Sequence, residues 1–138
     1  MLTFKEWVLL ENIPDRDMMM LFKGANALFG RDKVRMTTTK HFLPRLQADN
    51  SDKRNKKPIT AKELYVMLKA FHKKHMDKVR YHVGRSQKYV IQDKKTDISF
   101  VVGVDSDGGR KELTAITAMR GGGKHNKFFT KGTPVLAV

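Results

Sequence analysis

Residues 87–120 read QKYVIQDKKTDISFVVGVDSDGGRKELTAITAMR, and the fold is decided here. Three runs of strand length, Gln87–Gln92, Thr96–Asp105 and Lys111–Arg120, are separated by turn-forming pairs. β-Branched and aromatic residues fill the runs, as strands favour. Lys94-Lys95 and Ser106-Asp107-Gly108-Gly109 are the turns, and the second has the chemistry of a tight hairpin. Ile98-Ser99-Phe100-Val101-Val102 is almost continuously apolar, which predicts a central strand covered on both faces. The milder alternation of Leu113 to Met119 fits its neighbour. An antiparallel meander of three to four strands is therefore expected.

Upstream the periodicity changes to that of a helix. Thr60-Ala61-Lys62-Glu63 is a capping box, in which hydroxyl and carboxylate each satisfy a free backbone amide. Ala61, Leu64, Leu68, Phe71 and His75, with Met67 beside them, form an apolar face, opposed by Lys62, Lys69, Lys73 and Lys74. This helix should end near Val79. Residues 48–58 are polar, basic and turn-forming, so they predict a surface loop. His41-Phe42-Leu43-Pro44-Arg45-Leu46 predicts a helical turn or two, and Val34–Thr39 a short strand or an extended lead-in. Thr3 to Phe29 reads as two helices divided at Asn12-Ile13-Pro14, with Pro14, Asp15 and Asp17 suited to a helix start. Met18-Met19-Met20 continues an apolar stripe and is expected in the core. Helices followed by a meander give an α+β domain with the helices packed on one face of the sheet.

Length fits one domain: 138 residues support one modest core. Cysteine is absent, which excludes disulfides, thiolate metal sites and a cysteine nucleophile. No apolar run is long enough to span a bilayer, and Glu6 and Glu11 break any leader-like character, so a cytoplasmic protein without membrane contact is expected. Charge is the most informative bulk property. Lys and Arg number 28 against 14 acids, for a formal net charge of +14. Residues 1–30 contain Lys5, Arg16 and Lys23 against Glu6, Glu11, Asp15 and Asp17, so the other 25 bases and 10 acids all follow Gly30. That imbalance points to an anionic partner, and phosphate backbones are the usual one. The neutral segment from Phe4 to Phe29 offers a separate surface, suited to a homodimer through residues 4–29.

The acids at Asp93, Asp97, Asp105 and Asp107 fall in turns, which gives little support to metal-dependent chemistry, and Gly121-Gly122-Gly123-Lys124 lacks the spacing of a phosphate-binding loop. His72 and His75 have metal-ligand spacing, but no further ligands are evident and a structural role is expected. No cofactor is implied. Histidine and arginine chemistry remains. RNA cleavage by its own 2′-hydroxyl needs a base, an acid and cations for the crowded phosphate, which histidine and arginine supply near neutrality. His41 and Arg45, four apart, would share one helical face. Arg120, Lys124 and His125 leave the last strand together, and Lys78, Arg80, His82 and Arg85 form a further basic group.

Thr39-Lys40-His41-Phe42-Leu43-Pro44-Arg45, the helix start Pro58–Leu64, Asp97–Val102 and Leu113–Arg120 together resemble small tailed-phage proteins. The layout is similar to RegB and RelE-like endoribonucleases, with their barnase–colicin-type fold. The resemblance spans roughly residues 35–129. It divides the single domain 1–138 into an N-terminal helical segment (1–30), a core (31–129) and a tail (130–138). It implies a phage-encoded, metal-independent endoribonuclease cleaving host or phage mRNA, in some cases on the ribosome, in the bacterial cytoplasm. His41 would be general acid or base, with Arg45 and Arg120 at the phosphate, and His82 the positional counterpart of a second histidine. Lys53, Arg54, Lys56, Lys57, Lys78, Arg80, Arg85, Lys124, His125 and Lys127 would hold the backbone. Pro44 departs from the pattern, since it falls inside the His-to-Arg element. The rival reading is a non-catalytic binding or host-takeover protein that uses the same surface on RNA, DNA, a host protein or a nucleic-acid enzyme.

Overall fold

The computed structural model describes residues 15–51, 57–83, 86–107, 110–121 and 132–138. The expected first helix, and residues 4–14 of the segment considered for dimerisation, lie outside them. Helix α1 spans Asp15–Gly30 and leads through a tight turn into strand β1, Val34–Thr38. Then come α2 (Phe42–Ser51), α3 (Ala61–His75) and the single turn α4 (Asp77–Arg80). Strands β2 (Gln87–Asp93), β3 (Ile98–Asp107), β4 (Arg110–Arg120) and β5 (Val135–Ala137) complete the chain.

The architecture is α+β, with helices first. The meander β2-β3-β4 is antiparallel as expected, but the sheet is wider than a meander. Five strands run in the order β1-β4-β3-β2-β5, with β1 parallel to β4 and β5 parallel to β2. The last residues are thus an edge strand rather than a tail: Val90 N–H donates to the Pro134 carbonyl and Val138 N–H to that of Gln92.

Strand β3 is central, and Ile98 to Val104 are all buried. One face of the sheet joins Ile91, Ile98, Phe100, Val102 and Leu113 to the helical core, while Val90 and Val101 pack with Ile116 in a smaller cluster. A bulge opposite Val101/Val102 leaves Ile116 between the partners Ala115 and Thr117. This extra residue explains the weak alternation in β4, because it shifts the pleat halfway along the strand.

Helix α3 is capped as its sequence requires, with Glu63 N–H on the Thr60 hydroxyl (3.2 Å) and Thr60 N–H on the Glu63 carboxylate (3.1 Å). It buries Leu64, Met67, Leu68 and Phe71. Helix α1 packs against it, Phe29 on Phe71 and Gly24 beside the Tyr65 ring. A β-carbon at Gly24 would stand 2.9 Å from that ring, so glycine lets the two helices approach. Of the three methionines expected in the core, only Met18 is buried. Met19 and Met20 are exposed, because three consecutive residues cover most of a helix circumference. Asn26 projects from α1 onto the outer edge of β1, accepting from Met36 N–H (2.9 Å) and donating to the Met36 carbonyl (3.4 Å). It thereby occupies backbone groups that an edge strand otherwise presents to solvent.

Candidate nucleic-acid interface

Helix α2 starts where β1 ends. Phe42 N–H reaches the Thr39 carbonyl, and the Phe42 ring stacks on Phe100 at 5.9 Å, which anchors the helix to the sheet. His41 and Arg45 are both exposed, and Arg45 N–H donates to the His41 carbonyl (3.0 Å), so they stand one turn apart. Pro44 does not break this geometry. It is the third residue of α2, where an amide has no partner within the helix.

Arg120 has a different task from the phosphate contact expected of it. Its side chain is only 10% exposed, and all three nitrogens donate within the fold. Nε reaches the Lys57 carbonyl (2.8 Å) and Nη1 that of Thr96 (2.9 Å), while Nη2 meets Pro58 O and both oxygens of Glu63 (2.7 and 2.9 Å). The guanidinium therefore ties the end of β4 to the capping box of α3 and to the β2–β3 turn. Burial raises the Glu63 pKa, but the hydrogen bonds from Arg120 and Thr60 outweigh it and hold the carboxyl below its ordinary value. A guanidinium so fully engaged is a brace for the fold.

The two histidines of α3 serve structure as expected. His72 Nε2 donates to Asp32 (2.9 Å) and packs edge-on against Phe29, and His75 Nε2 donates to the Ala137 carbonyl of β5 (2.7 Å). Among the described residues no three His, Asp or Glu side chains are grouped to hold a metal. Asp32 also receives Arg80, through Nε (3.2 Å) and Nη2 (2.9 Å). The hydrogen bonds from His72 and Arg80 lower its pKa. Arg80 remains half exposed while tied to Asp32, and Lys78 is exposed with Asp77 at 4.0 Å. Lys57 is exposed. His82 follows α4, and its Nε2 is buried without a hydrogen-bond partner among the described residues. Lys53, Arg54, Lys56, Arg85, Lys124, His125 and Lys127 lie outside the described residues.

The fold also assembles a cationic groove that local sequence reading missed. Lys33, Arg35, Arg110 and Lys111 line a recess of about 460 Å³ with Asn26, Gly30 and Val34. Parallel pairing of β1 and β4 sets Val34 beside Lys111 and Arg35 beside Glu112, which brings together residues about 75 positions apart. Lys33 takes φ of 59° in the tight turn after α1. Lys111 Nζ donates to the Val79 carbonyl (2.8 Å) and to that of Arg80, so it fastens α4 to the groove. Only the parallel partnership of β1 could have revealed this group, and a five-residue strand carries no signal of its partner. No helix of the described residues is long and apolar enough to cross a membrane. No protein-family model, curated protein or solved structure matches the chain.

Proposed function

We propose that this domain binds nucleic acid, with RNA as the preferred partner, through phosphate contacts on its cationic surface. One observation carries the reading: after Gly30 bases exceed acids by 15, and most of the cations among the described residues there are exposed at the surface. Arg120 and Arg80 meet carboxylates, but Arg31, Lys33, Arg35, Arg45, Lys69, Lys73, Lys94, Lys95 and Arg110 are exposed. Such a surface gains free energy when phosphates displace their condensed counterions. Titrating labelled RNA and DNA of matched sequence at rising salt tests it. Binding should weaken linearly in log–log form, with RNA ahead of DNA. Salt-independent binding, or none at low salt, would overturn the reading.

A second reading rests on His41 and Arg45, exposed one helical turn apart. In it the domain cleaves messenger or ribosome-associated RNA without metal, His41 moving the proton of the 2′-hydroxyl and Arg45 steadying the phosphate. The engagement of Arg120 leaves this chemistry without the strand-end cation first assigned to it. Total RNA incubated in EDTA should be cut by the wild type and spared by His41→Ala. Intact RNA with wild type, or equal cutting by the variant, removes catalysis and leaves binding standing.

A further inference from the structure

We infer that the groove between the α1–β1 turn and the start of β4, together with Tyr81, is a binding site for a single-stranded polynucleotide, phosphates on the groove and a base on the ring. The inference rests on the nucleic-acid reading above and names the site and strandedness. Lys33, Arg35 and Arg110 are exposed cations around a concave recess, and Lys111 adds a fixed charge at its wall. Glu112 beside Arg35 in the β1–β4 register and Asp107 opposite Arg110 in the β3–β4 register are neighbouring acids, against the four cations Lys33, Arg35, Arg110 and Lys111. Asp32 in the same turn is already engaged by His72 and Arg80. The recess is thus net positive. Arginine forks suit phosphate oxygens, and a lysine supplies a movable point charge.

Tyr81 is the independent observation. It is 80% exposed, a large exposure for an aromatic residue whose own backbone is held. Tyr81 N–H donates to Asp77 O (3.1 Å), and its neighbour Arg80 is held by Asp32 and, through its carbonyl, by Lys111. A lining residue of the groove therefore fixes the peptide that carries the ring. An exposed aromatic ring beside a cationic track is the arrangement that stacks unpaired bases, whose faces are hidden in a duplex.

Anisotropy of a labelled oligo-U of about 12 nucleotides, matched oligo-dT and an RNA duplex tests the site. The variants are Lys33→Gln/Arg35→Gln/Arg110→Gln, Lys23→Gln/Lys62→Gln/Lys74→Gln on α1 and α3 as a charge-matched control of exposed lysines, Tyr81→Ala and Tyr81→Phe. The groove triple should lose about tenfold or more in affinity for single strands and lower the salt slope by about 2, at roughly 0.7 per phosphate. The control should lose less than about threefold. Tyr81→Ala should lose about fivefold or more with an unchanged slope, and Tyr81→Phe should retain binding. Equal losses in groove and control triples, tighter binding of the duplex than of the single strands, or indifference to Tyr81→Ala would overturn the site while leaving nucleic-acid binding intact. Failure of the wild type to bind any of the three probes would instead remove the reading beneath it. Oligo-U against oligo-dT tells which backbone the site prefers.

Discussion

Arg120 shows how much depends on where a single cation ends up. From sequence it is an arginine leaving a strand end toward a basic tail, and it reads as a phosphate ligand. In the fold it closes four contacts at the junction of α3, β4 and the β2–β3 turn. Arg120→Ala should therefore cost about 2–4 kcal/mol in urea unfolding, because Glu63 is left half-buried and short of its charged partner. Its effect on RNA affinity should be small once the protein is folded. Asp32 gives the matching prediction in pH. Its pKa is lowered by His72 and Arg80, so its contribution is complete above the ordinary carboxylate range and is lost as pH falls through the depressed value. Asp32→Asn should be less stable than wild type near neutrality, and the difference should shrink on acidification below about pH 4, as followed by urea midpoints.

At the scale of elements, the α1–α3 contact is the most sensitive to a single carbon. Gly24 sits in a helix, where alanine is normally better by about 1 kcal/mol. Here the added β-carbon meets the Tyr65 ring at 2.9 Å. Gly24→Ala should therefore fail to stabilise the wild type yet gain about 1 kcal/mol in a Tyr65→Ala background, a coupling that a double-mutant cycle reads directly. The meander, the capping box and the double burial of β3 were legible in sequence because each depends on neighbours within one run. The bulge at Ile116 and the two parallel edge strands were not, since a bulge follows from register and β1 and β5 find partners far along the chain. The same holds for the site. His41 and Arg45 share a helical turn as spacing requires, whereas Lys33, Arg35 and Arg110 meet only through pairing.

For the molecule as a whole, charge and sheet edges act together. A net charge of +14 keeps copies apart at low ionic strength, and salt of about 0.15 M shortens the range of that repulsion to roughly 8 Å. What then prevents one sheet from adding to the next at β1 is the Asn26 amide, seated on both polar groups of Met36. Asn26→Ala should cost about 1–2 kcal/mol for the amide left unpaired. Its light scattering should also rise more steeply with added salt than that of the wild type. In that sense one side chain acts as a chain terminator for lateral growth at the β1 edge of the sheet.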